Sequence, residues 1–137
     1  MFNMRGLFLF FKTLRELKMP YPTKLEDLPK RDPNAPVIRR VVCTANLQKN
    51  GTILLGARHW DALMHATAAG MTQTWSKEEI QSFIDKEVQG FIDQFGVFMD
   101  RAEAWQVALA AGQIRYIESW NYIPSRDRYE LYSENLY

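Results

Sequence analysis

Arg58-His59-Trp60-Asp61 is a stretch of this chain well equipped to meet an anion. It lies where a strand-like run gives way to a helical pattern, and a helix start offers free backbone N–H groups. Arg58 can fork onto a phosphate, His59 can add a hydrogen bond, and Asp61 can cap the helix. The plainer alternative is a capped junction with Arg58 in solvent. Asp100-Arg101 repeats the theme. Asp100 is placed to cap a helix, and Arg101 then falls at its first position, where a cation opposes the helix dipole. Such an arginine either serves a purpose there or is simply solvated. Phe91 is either core, by strand alternation, or a platform for a base. The Gln113 amide can read a base edge or tie down the turn that follows the helix.

Other chemistries lack their residues. His59 and His65 are the only histidines and Cys43 the only cysteine, so no spaced cluster suggests a metal. There is no Gly-x-Ser-x-Gly elbow, no phosphate-binding loop and no dinucleotide glycine pattern. Glu78, Glu79, Asp85 and Glu87 read as a solvated helix face rather than as catalytic carboxylates. The 137 residues carry a net charge of +1, which gives no global basic field for a nucleic acid polymer. Aromatic residues make up 13%, enough for a full core or a stacking pocket. A lone thiol in Val41-Val42-Cys43 reads as buried and inert, in a reducing compartment. The apolar run Gly6 to Phe11 is too short to span a bilayer, and Lys12 to Glu16 follow where a cleavage site would stand. It reads as a short amphipathic helix or an ordered arm, with docking on another subunit as one option.

The elements that must position these residues are legible in part. Residues 1–36 read as an N-terminal arm and a linker, since Pro20, Pro22, Pro29, Pro33 and Pro36 forbid a regular element. Residues 37–137 read as one compact domain. Val37 to Ala45 and Thr52 to Ala57 predict a hairpin with a two-residue Asn50-Gly51 turn, and Gly56 marks a close approach or bulge. Trp60 to Ala69 predicts a helix stopped by Gly70. Ser76 and Glu79 form a capping box for a second helix over 77–86. Val88 to Ile92 and Val97 to Met99 predict a second hairpin with a tight glycine turn. A third helix runs from its cap Asp100, boxed by Glu103, to Gly112. Residues 114–130 show no clean period, and Pro124 to Arg128 read as an exposed loop. Leu131 to Tyr137 is expected to pack on the sheet or on a neighbour. The fold class is α+β: a small antiparallel sheet of two hairpins packed against two or three helices.

The order Gly56-Ala57-Arg58-His59-x-Asp61, Gln89-Gly90-Phe91, Gly96-x-Phe98-x-Asp100-Arg101-x-Glu103-Ala104, Gly112-Gln113 and Leu131-Tyr132-Ser133-Glu134-x-Leu136-Tyr137 resembles a family of small phage-encoded proteins. The family is connected with the Thoeris anti-defence sponge proteins of the first type, and the likeness spans about Arg39 to Tyr137. It implies a protein that is not an enzyme. Such proteins hold cyclic ADP-ribose isomers intact, some also cyclic di- or trinucleotides, in the cytoplasm of an infected bacterium. It implies a homo-oligomer, typically a hexamer, with pockets at subunit interfaces, and no cofactor, metal, nucleic acid polymer or membrane. Arg58, His59, Phe91, Asp100, Arg101 and Gln113 occupy its motif positions and are the candidate ligand-binding residues. Residues 117–129 are where this chain is expected to depart from relatives. A non-catalytic structural or regulatory phage protein is the alternative, and a nucleotide phosphodiesterase a weaker one.

Overall fold

The computed structural model describes residues 24–137. The expected N-terminal helix or arm lies outside them. By its internal contacts the chain divides into residues 1–36 and 37–137. Of the first unit, the described residues 24–36 are exposed and hold one 3-10 turn, Leu25–Asp27.

The second unit is an α+β fold. Strands β1 (Val41–Leu47), β2 (Ile53–Gly56), β3 (Val88–Asp93) and β4 (Phe98–Asp100) form one sheet in the order β2-β1-β3-β4. Every neighbouring pair is antiparallel. Helices α1 (Ala62–Met71) and α2 (Lys77–Ile84) lie between the hairpins in sequence, and α3 (Arg101–Ala110) follows β4 without a break. A two-stranded ribbon, β5 (Tyr122–Ile123) and β6 (Arg128–Tyr129), completes the unit.

Both hairpins turn the same way. Gln48 N–H donates to Thr52 O at 2.8 Å and Gly51 N–H to Gln48 O at 2.9 Å, with Gly51 at φ +88°. Asp93 N–H donates to Val97 O and Gly96 N–H to Asp93 O, both at 3.0 Å, with Gly96 at φ +77°. Each is a three-residue loop whose last residue is a left-handed glycine bulge. The first turn is therefore one residue longer than the Asn-Gly pair alone predicts. The first strand also starts later than Val37. The backbone of Ile38 and Arg40 bonds to the Gln94 amide instead of a neighbouring strand, at 2.7 Å in both cases, and the ladder slips between Val41 and Cys43.

Register places Thr44 and Asn46 of β1, Leu54 of β2, Phe91 of β3 and Met99 of β4 on one face, all fully buried. The helices cover this face in two patches. Under α3, Phe91 and Met99 pack with Ala104, Trp105, Ala108 and Leu131. Under α1 and α2, Leu54 packs with Met64 and Phe83. Cys43 points to the opposite face and is half-buried rather than buried, and burial pushes its thiol pKa up.

Helix starts follow the sequence closely. Asp61, Ser76 and Asp100 each accept the N–H three residues on, at 2.9, 3.1 and 2.8 Å. Two boxes stay half-closed. Glu103 turns its carboxylate to Arg39 at 2.6 Å, and among the described residues Glu79 bonds nothing in return. Helix α1 begins at Ala62, not Trp60, because Trp60 sits at φ +52° outside the helix. It runs through Gly70 to Met71, where Thr72 caps it. Helix α2 ends at Ile84 because Asp85 is extended and Lys86 left-handed at φ +57°.

Candidate functional site

Arg101 is the organising side chain. As the first residue of α3 it emerges from the sheet edge toward the C-terminal segment. Its guanidinium donates to Leu131 O at 2.7 Å, to Gln89 Oε1 at 2.9 Å and to His59 Nδ1 at 3.3 Å. Its Cζ sits over the Tyr132 ring, 3.9 Å from the centroid. All these partners are neutral. Among the described residues no carboxylate stands within ion-pair distance of Arg101. Burial lowers its pKa from the ordinary value, and Tyr132, Glu130 and Glu134 offset part of that. A guanidinium has five N–H donors, and three bonds to described residues leave some of them without a partner among those residues.

His59 supports Arg101 from behind. Its Nε2 lies 2.8 Å from Gly90 O, so Nε2 carries the proton and Nδ1 accepts from Arg101. Burial, then the charge on Arg101, pushes the imidazole pKa down to about 4, and the Gly90 bond only partly opposes this. The ring stands edge-on to Phe91 at 5.3 Å. Gln89-Gly90-Phe91 thereby has three jobs: an acceptor for Arg101, a carbonyl for His59 and a core ring beneath it. Gly90 is also a steric requirement, since a Cβ there would lie 1.9 Å from Met99 O.

In front of Arg101 opens a pocket of about 420 Å³, within the usual range for small-ligand sites. Its charged lining is Glu87, Asp100, Arg101, Arg126, Arg128 and Glu130, with Gln89 and Tyr132 between. Arg126 and Arg128 come from the β5–β6 ribbon. Both pair with Glu130, at 3.0 and 2.8 Å, and the Glu130 side chain is 5% exposed. One buried carboxylate thus holds two guanidiniums whose remaining donors are exposed. Glu87 is not part of a helix face; its Oε1 accepts from Trp60 Nε1 at 2.8 Å and from Gln89 at 3.1 Å.

Backbone strain gathers around this pocket. The non-glycine residues at positive φ among the described residues are Trp60, Lys86 and Asp127. They adjoin His59, Glu87, and Arg126 with Arg128, respectively. Left-handed non-glycine residues persist where the surroundings over-determine them, commonly at ligand sites.

Of the six sequence candidates, Asp100 and Arg101 line the pocket and His59 touches Arg101. Asp100 spends its carboxylate on the helix cap. Phe91 is fully buried beneath His59. Gln113 pairs its amide with both backbone groups of Val41 at 2.9 Å, as a neighbouring strand would. Arg58 joins the C-terminal segment, reaching Ser133 Oγ at 3.0 Å and Glu134 at 3.3 Å, with Tyr137 under its guanidinium. Gln89, Arg126, Arg128, Glu130 and Tyr132 were not among the candidates. The signal for two of them is the alternation Arg128-x-Glu130 in an extended stretch; Arg126 reaches the same carboxylate through the 3-10 turn Pro124–Arg126 and the left-handed Asp127, which no strand alternation predicts.

Residues 40–137 match the family model described as Phage T4 y16D protein. No curated protein and no solved structure matches the chain significantly. No helix among the described residues is long and apolar enough to cross a membrane.

Proposed function

The chain belongs to the phage T4 y16D protein family, and we propose, from the geometry around Arg101, that this phage protein binds and sequesters a cyclic nucleotide immune signal in that pocket without cleaving it. The cyclic ADP-ribose isomers and cyclic di- or trinucleotides are the ligand classes. The observation that carries the reading is Arg101: half-buried, clamped by neutral groups and with no carboxylate within ion-pair distance among the described residues. A phosphate completes that guanidinium at the point where solvent has already been partly removed. Tyr132 adds an aromatic surface and Gln89 an amide, while His59, neutral and bonded through both nitrogens, is committed to holding Arg101. The reading extends to a homo-oligomer, a hexamer, in which neighbouring subunits enclose the ligand.

The test is calorimetric titration of the whole protein with these nucleotides, followed by heating and chromatography of the released ligand. Binding with release of intact nucleotide is expected, and Arg101→Gln should weaken it by about 2–3 kcal/mol, the worth of charge-assisted hydrogen bonds. Release of a hydrolysed product would convert the reading to a phosphodiesterase. Absence of binding by every nucleotide would return the protein to a structural role.

A further inference from the structure

The pocket's charges make its selectivity more specific than a preference for anions. The lining carries three arginines, Arg101, Arg126 and Arg128, against three carboxylates, Glu87, Asp100 and Glu130. Arg126 and Arg128 share Glu130, Asp100 caps α3, and Glu87 accepts from Trp60 and Gln89. Of the three lining arginines, only Arg101 has no carboxylate within ion-pair distance among the described residues. The walls therefore sum to zero with Arg101 included, so a monoanion on Arg101 leaves the filled pocket at a net charge of about −1 and a dianion at about −2. A second negative charge on the same phosphate would face Glu130, Glu87 and Asp100 in a partly desolvated space, where like charges repel strongly.

We propose that the pocket selects a phosphate bearing a single charge, the state of a phosphodiester, and rejects the doubly charged terminal phosphate of a linear nucleotide. This rests on the proposed binding function and deepens it. A phosphate closed into a ring by two ester bonds stays singly charged at every physiological pH, whereas a terminal phosphomonoester loses its second proton near pH 6. Abundant cellular nucleotides end in such a group. Glu130 thereby becomes a selectivity device as well as the anchor of two arginines: its charge holds the walls at zero, and without it they would carry a net positive charge that accepts a dianion. The groups that line the pocket and titrate or carry charge are the six named above and Tyr132, and Glu134 of the C-terminal segment acts on Arg101 and His59 by its charge. Behind Arg101, His59 stays neutral down to about pH 4.

The experiment uses the full chain and three probes: 3′,5′-cyclic AMP, 5′-AMP, and a short oligodeoxythymidylate without terminal phosphates. At pH 7.5 cyclic AMP should bind about tenfold or more tightly than 5′-AMP. At about pH 5, where the monoester is singly charged, the two should converge through tighter 5′-AMP binding. Glu130→Gln, checked for folding by circular dichroism, should erase the discrimination at pH 7.5. Binding of 5′-AMP as tight as or tighter than that of cyclic AMP at pH 7.5 overturns the inference while leaving a nucleotide site. Discrimination that persists unchanged at low pH also overturns it, because the ligand's charge is then not its cause. Binding of none of the probes overturns this inference, while the proposed function stands or falls by its own titration with cyclic ADP-ribose isomers and cyclic di- or trinucleotides. Oligonucleotide binding equal to that of cyclic AMP keeps the phosphodiester preference and overturns the small-ligand reading.

Discussion

The hydrogen bond from Arg101 to His59 Nδ1 exists only while the imidazole is neutral, and that condition has a measurable cost. The folded pKa is about 4 against an ordinary value of 6.5. Between those values the unfolded chain binds a proton that the folded one refuses. The contribution is fully present above pH 6.5 and is lost as pH falls toward 4, on the order of 2–3 kcal/mol. We expect unfolding free energy, measured in urea, to decline over that window. His59→Gln, whatever its absolute stability, should flatten the slope there. Asp61 and Asp93 act at lower pH. Backbone N–H donors, that of Met64 first, hold the Asp61 carboxyl below its ordinary range. Burial pushes the Asp93 carboxyl up, but Arg39 and the N–H groups of Val97 and Phe95 outweigh it and hold it below that range as well. Their contributions disappear only as pH falls through those depressed values. At this scale the sequence identified Arg101 and His59 as chemically apt. It could not separate Phe91 and Gln113, whose side chains serve the core and the backbone of Val41, from residues that face a ligand. Motif position is the same for both roles; only burial and hydrogen-bond partners distinguish them.

The elements were readable wherever a local rule decided them. Three helix caps and two glycine-bulge hairpins are set by residues within a few positions of each other, and they stand close to where their sequence places them. The segment after Gln113 was not readable, because its order comes from long-range polar contacts. Asn121 and Asn135, both fully buried, exchange amide hydrogen bonds at 2.8 Å. Asn121 also bonds Glu118 N–H and Glu130 O, and Asn135 bonds Tyr132 N–H and Tyr116 O. Both amides are fully satisfied, and this pair fastens the stretch that delivers Glu130 and Tyr132 to the pocket. A different element test concerns the β3–β4 pairing. Gly90→Ala would drive a methyl into Met99 O and against the Phe98 ring, and we expect a loss of at least about 3 kcal/mol in denaturant unfolding. Gly70→Ala, with open space around the same atom inside α1, should gain about 0.5–1 kcal/mol.

For the whole molecule, the two hairpins were legible but their pairing was not. Nothing local says that β1 lies beside β3 in antiparallel register. That follows from burying Thr44, Asn46, Leu54, Phe91 and Met99 on one face, with Leu54 under α1 and α2 and Phe91 and Met99 under α3. The β1–β3 seam is also the sheet's one pairing between strands distant in sequence, and this has a kinetic consequence. Each hairpin can close by itself in microseconds, whereas the seam must first enclose both intervening helices and meet the entropy of that larger loop. The rate-limiting step should therefore be the zipping of one hairpin onto the other. In stopped-flow refolding, Ala45→Gly on the seam should slow the folding limb. Gly51→Ala at the first hairpin tip should act mainly on unfolding if that turn closes after the seam, or on folding if it nucleates it. The ratio of the two effects dates the turn relative to the docking of the halves.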